Sequence, residues 1–236
     1  NTVSYMDDDT LLKMKIQQGS YATLVGDERL PLALVELLRG LLCDDSEQRW
    51  DIDALDLWLS GRRLSPLQQR VEKRAARGFS FNGREYYNCR ELAQAMARNW
   101  DLAIPLVLEG KLELWLRRAV EDKDRAQVVS DVVRMALTAS GDRRTAADLM
   151  LCKVLNILDP TAPIRYKGFN AMPDGFGAAL ASVVAQKGDT RPLVEIILRE
   201  VPRLWFEARH RYLPDNSLME GNFRELKNYL SQTGMG

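Results

Sequence analysis

Apolar residues recur along most of the chain at three- and four-residue intervals, the spacing that lines them up on one face of an α-helix. Leu11, Leu12, Met14 and Ile16 follow three consecutive aspartates at positions 7–9 and predict a short amphipathic helix with a favourable acidic N-terminus. Pro31 opens a second helix, in which Leu34, Leu37, Leu38 and Leu41 form an i, i+3, i+4, i+7 stripe. Asp51 reads as the N-cap of a third, and Gly61 as its stop. Asn88 and Glu91 form a capping-box-like start for a fourth, and two more are expected at 100–108 and 111–120, divided by Gly110. Helical spacing continues over 124–139, behind Thr145 as an expected cap, and at about 176–186, 191–200, 203–210 and 223–230.

Period-two alternation appears once. Phe79 and Phe81, then Asn82-Gly83, then Arg84 to Tyr87 predict two strands around a type I′ turn. Residues 159–175, with Pro160, Pro163 and Pro173, read as an irregular stretch too long to be a mere connector. The expected fold is therefore mainly α, a helical bundle-like array with one short β-hairpin near residues 79–87. No fixed internal period is visible, which argues against a regular solenoid.

The 236 residues are 46% hydrophobic and 28% charged, an ordinary globular composition with ample length for a buried core. Lys plus Arg and Asp plus Glu are each 33, and a net charge of zero argues against nucleic acid as the partner. Charge is nevertheless uneven. Residues 1–63 carry net −5, residues 64–120 net +4 and residues 121–236 net +1. Between positions 62 and 77 six basic residues stand against the single acid Glu72, and 64–78 reads as a basic linker. The expected divisions are 1–63, the linker 64–78, the hairpin with short helices 79–120, and a helical region 121–236. No apolar run reaches the ~20 residues of a membrane span, and no secretory leader is readable. The first residue, Asn rather than Met, predicts a chain processed or cut from a longer one.

Candidate chemistry is sparse. Cys43, Cys89 and Cys152 lie far apart, which leaves no disulfide framework and no zinc spacing and makes a reducing cytoplasm the expected setting. Cys43 and Cys152 read as small buried hydrophobes, while Cys89 sits just ahead of a helix with no base nearby. The one histidine, His210, stands between Arg209 and Arg211 and lacks the positioned partner of a general base. Trp58, Trp100, Trp115 and Trp205 fall within amphipathic patterns and are expected in the core. Asp174-Gly175-Phe176-Gly177 precedes a helix, and Arg165 and Lys167 lie just upstream. Together Arg165, Lys167, Gly175 and Gly177 make a possible anion-binding loop, although no GxGxxG or Walker lysine accompanies them. A pocket gathering Arg165, Lys167 and Asp174 would point to an enzyme. No metal, cofactor or small-molecule ligand is identifiable.

One segment is more specific. Leu37-Leu38-Arg39-Gly40-Leu41-Leu42-Cys43-Asp44-Asp45-Ser46-Glu47-Gln48-Arg49-Trp50, with the helix that follows, resembles the end of the C-lobe of eukaryotic-type Ser/Thr protein kinases. There an LLxxLL helix runs into Asp-Pro-x-x-Arg. Here Ser46 stands for the proline after Asp45, and Trp50 follows Arg49 where a proline is usual. The resemblance covers about residues 7–63. Residues 19–31, 61–63, the hairpin and 158–168 are similar to bacterial kinase-like proteins, in which a kinase or pseudokinase domain precedes a helical C-terminal region. The resemblance implies a buried arginine at Arg49 whose acidic partner lies outside this chain. Residue chemistry likewise expects Arg49 to be partly buried and to need an acid. The chain carries no Gly-rich loop, Val-Ala-Ile-Lys strand, His-Arg-Asp or Asp-Phe-Gly, and so no kinase catalytic set. The expected role is a non-catalytic interaction or regulatory region that binds a protein partner or its own kinase domain. A self-contained helical adaptor is the alternative. An exposed apolar face on residues 7–42 is what the first reading requires.

Overall fold

A computed structural model of the chain describes residues 6–46, 48–62, 64–66, 73–208 and 214–232. His210, its two arginine neighbours and Arg63, Arg70 and Glu72 of the basic stretch lie outside the described residues. The chain divides into two units, residues 1–74 and 75–236.

The first unit holds α1 (Asp8–Val25), α2 (Leu32–Leu41) and α3 (Ile52–Leu59). Asp7 caps α1 by accepting from the Thr10 amide at 2.9 Å. That helix runs well beyond the short segment its apolar spacing predicts, because Gly19 adopts φ 87° and ψ 158° and lets the chain kink and resume. At the kink the Ser20 amide donates to Asp44 Oδ2 at 3.0 Å. Asp51 caps α3 through the Ala54 amide at 2.8 Å. Gly61, at φ 85°, ends it as expected: Arg62 N–H reaches the Leu57 carbonyl and Gly61 N–H the Trp58 carbonyl, the paired bonds of a Schellman turn.

In the second unit β1 (Phe79–Phe81) and β2 (Arg84–Tyr86) pair antiparallel, Phe79 opposite Tyr86. Asn82 and Gly83 both take positive φ, as a type I′ turn requires. Next come α4 (Cys89–Arg98), α5 (Trp100–Leu108), α6 (Lys111–Trp115) with a π-helical turn at Leu116–Val120, α7 (Lys123–Thr138) and α8 (Arg143–Leu158). Asn88 Oδ1 caps α4 by accepting from the amides of Arg90 and Glu91. The cap of α8 is Asp142 rather than Thr145. Its carboxylate takes the Thr145 amide and hydroxyl, which places Thr145 in the first turn. The Ala119 carbonyl accepts from Ala76 N–H at 2.8 Å, and Trp115 Nε1 donates to the Arg77 carbonyl at 2.7 Å. These bonds fasten the start of the unit to the end of α6 and to the π-helical turn.

Residues 159–175 are more ordered than expected. They contain a second antiparallel hairpin, β3 (Ile164–Tyr166) and β4 (Phe169–Ala171), closed by Lys167 and Gly168, both at positive φ. The chain ends in α9 (Phe176–Ala185), α10 (Arg191–Leu198), α11 (Val201–Ala208) and α12 (Pro214–Gln232). The fold is thus mainly α, with two short hairpins.

The core of this unit gathers around α8, which packs against α4, α5, α7, α11 and β3. Met150, Leu151, Cys152, Val154, Leu155 and Leu158 are buried there. Helix α4 contributes Cys89, Leu92, Ala93, Met96 and Ala97, one continuous helical face. A single buried cluster runs from Ala75 to Phe206, so residues 79–120 and 121–206 share one core. Trp100, Trp115 and Trp205 are buried in it, each with its indole N–H bonded, whereas Trp58 is half-buried.

Candidate functional site

The residues that carry the kinase resemblance form a tight turn between α2 and α3. The Asp45 carbonyl accepts from Gln48 and Arg49 N–H, and Trp50 N–H donates to the Gly40 carbonyl at 3.0 Å. The Trp50 ring lies so close over Gly40 that a β-carbon there would collide with it. Arg49 departs from expectation. It is exposed, and its Nε donates to the Cys43 carbonyl at 2.8 Å. The reason is local: the carbonyls just past a helix C-terminus lack intrahelical donors, and an arginine six residues on satisfies one without being buried.

The possible anion-binding loop comes apart into separate pieces. Arg165 is buried on β3 with Nη2 on Asp159 Oδ2 at 3.2 Å, and Asp159 also takes Arg90 Nε at 3.1 Å and the Thr161 hydroxyl at 3.1 Å. Burial lowers the Arg165 pKa, and its Nε and Nη1 find no acceptor. Lys167, by contrast, reaches Glu195 Oε2 at 2.8 Å and Asp148 Oδ2 at 3.0 Å. Gly175 N–H donates to the Met172 carbonyl and to Asp174 Oδ1, so the entry to α9 meets a carboxylate of its own chain. Gly177 lies in the first turn of α9. Both expected cations are thus neutralised by carboxylates of this chain.

The most polar interior site is one that local sequence patterns miss. Asp148, on the core face of α8, has no exposed surface. Its carboxylate accepts from Trp100 Nε1 at 2.9 Å and pairs with Lys167 at 3.0 Å and Arg199 at 3.2 Å, with Arg144 Nε at 3.6 Å. Around it, Tyr166 donates to Glu195 at 2.5 Å and accepts from Arg199 at 2.6 Å. Arg144 also pairs with Asp101. Three cations therefore meet three carboxylates. Burial and the bond to Glu195 push the Tyr166 hydroxyl pKa up, and burial raises that of Cys152. For Lys167 burial works downward, but the bonds to Glu195 and Asp148 outweigh it and raise the pKa. For Glu195 burial works upward, but Lys167, Tyr166 and Arg199 outweigh it and lower the pKa. Each of these shifts moves a proton affinity away from neutrality, the opposite of what a general acid or base needs. The cluster locks α8, β3 and α10 together.

Residues 1–74 present the other unusual feature. Among the described residues of this unit Cys43 is the sole buried hydrophobic side chain. Leu32 is 76% exposed, Ile52 74% and Leu59 66%, and Leu12, Leu24, Leu34 and Leu57 are exposed as well. Ile52 and Leu59, seven residues apart, share one face of α3.

Among the described residues no group of three His, Cys, Asp or Glu side chains could hold a metal ion, and no helix is long and apolar enough to cross a membrane. No protein-family model, curated protein or solved structure matches the chain.

Proposed function

We propose that this chain is a non-catalytic interaction region of a bacterial kinase-like protein, and that α1–α3 seat their apolar side chains against a kinase-like lobe. The observation that supports this reading is the imbalance among the described residues of 1–74, where seven large hydrophobic side chains are exposed and Cys43 is the one buried hydrophobic side chain. Short amphipathic helices draw their stability from tertiary packing, and each fully buried leucine or isoleucine is worth roughly 1.5–3 kcal/mol. A helical unit with so little core of its own gains most by packing on another surface. The Leu37–Trp50 sequence, with its turn at Asp45 and Arg49, suggests what kind of surface that is. The self-neutralised cluster around Asp148 is consistent with a scaffold rather than a reaction centre.

The gene sequence ahead of the Asn1 codon tests the kinase half of the proposal. A kinase-like fold encoded directly upstream, with degraded or intact catalytic motifs, is the expected result; an unrelated fold or an immediate start codon overturns it. Hydrogen exchange tests the docking half. The amides of residues 8–59 should gain protection when the upstream domain is present, and unchanged exchange would overturn the docking. A second reading, a self-contained helical adaptor, draws on the continuous buried cluster from Ala75 to Phe206.

A further inference from the structure

Within residues 75–236 a cavity of about 330 Å³ lies between α10, α11 and α12, at the lower end of the size range of small-molecule sites. Its apolar wall includes Phe206 and Phe223. Both rings are held from behind: Phe223 is edge-on to Phe176 at 5.0 Å, and Phe206 is edge-on to Trp205 at 5.2 Å. The rim carries three acids and three cations. Four of these six are already engaged, Arg203 with Glu207 at 2.8 Å and Lys227 with Glu200 at 3.1 Å. Glu220 and Arg224, one turn apart on α12, form no ion pair among the described residues and face the same cavity.

We propose that this cavity binds a free α-amino acid with a large apolar side chain. Its carboxylate meets Arg224, its ammonium meets Glu220, and its side chain lies against Phe206 and Phe223. Charge complementarity selects the class. A simple carboxylic acid placed on Arg224 leaves Glu220 repelling it from one turn away, and a simple amine placed on Glu220 suffers the converse from Arg224. A zwitterion satisfies both, and the fixed rings take an apolar or aromatic body without reorganisation. Nothing in this assignment depends on the role of residues 8–59.

Calorimetric titration of the full 236-residue chain with L-phenylalanine, L-leucine, 3-phenylpropanoate and 2-phenylethylamine tests it. Saturable binding of L-phenylalanine is expected, with each single-charge analogue weaker by about tenfold or more, the loss typical of one missing bond between charged groups. Arg224→Met, at an exposed position, and Glu220→Gln, at a half-buried one, should each weaken L-phenylalanine by about tenfold with an unchanged circular dichroism spectrum. Equal affinity for 3-phenylpropanoate and L-phenylalanine overturns the zwitterion assignment. Undiminished binding in both variants overturns the site, and no saturable heat with either amino acid overturns the proposal.

Discussion

Asp148 gathers one indole N–H and three cations around a carboxylate with no exposed surface, and its consequences follow from what would remain without it. In Asp148→Asn the Trp100 indole keeps an acceptor, but Lys167 and Arg199 lose the charge that offsets their partial burial. Breaking one side of a buried ion pair costs about 3 kcal/mol or more, so the midpoint of urea unfolding should fall sharply while the folded far-ultraviolet spectrum stays mainly helical. A fall within the scatter of surface substitutions would mean that the three cations are solvated and the cluster contributes little. Glu195 gives the cluster its pH dependence. Because its carboxyl pKa sits below the ordinary 4.5 in the folded chain, its stabilisation is complete above that value and is lost as pH falls through the depressed one. Urea midpoints measured at about pH 5 and about pH 3 should therefore drop less in Glu195→Gln than in the unaltered chain. An equal drop in both would assign the acid sensitivity to other carboxylates.

Among the elements, those whose boundaries are written in a few adjacent residues are the ones legible in the sequence. Asn88 is an example: it caps α4 with two bonds from its own next turn, and the five buried residues behind it repeat at helical spacing. Asn88→Ala should cost about 1 kcal/mol. Thermal melts of that variant against Ser80→Ala, an exposed strand position on β1, check it, and indistinguishable melts would show that packing alone sets the helix start. The first hairpin was equally legible, since Asn82-Gly83 is among the strongest turn pairs. The second was hidden because Lys167 occupies the left-handed position where Asn or Asp would advertise it. What holds Lys167 there is tertiary, the carboxylates of Asp148 and Glu195, 19 and 28 residues away. The same distance in sequence hid the ionic cluster. Asp148 sits in a run of apolar residues on α8 and differs from a solvent-facing aspartate only through partners on α5, in the β3–β4 turn and at the end of α10. Arg49 failed in the opposite sense, because the short-range carbonyl of Cys43 was available before any distant acid.

Across the whole chain, apolar burial is shared so unequally that the two units should not have the same stability. Residues 75–236 bury a continuous cluster from Ala75 to Phe206, reinforced by the ion pairs of Asp148 and Asp159. Residues 1–74 keep caps, a kink and a Schellman turn, all local devices worth little each, and among their described residues Cys43 is the one buried hydrophobic side chain. Backbone order in that unit must therefore come from few long-range contacts, and regions with few buried apolar contacts open at low free-energy cost. Hydrogen exchange on the isolated 236-residue chain should show amides of α1–α3 exchanging far faster than those of α4 and α8, with mild denaturant unfolding the first set before the second. Protection of α1–α3 equal to that of α8 would mean that the exposed leucines are covered within this chain. The need for an outside surface, and with it the main support for a docking role, would then disappear. Faster exchange that slows when a kinase-like domain is supplied would tie the apolar faces of α2 and α3 to that domain, since no amount of local capping can supply the buried area these helices lack.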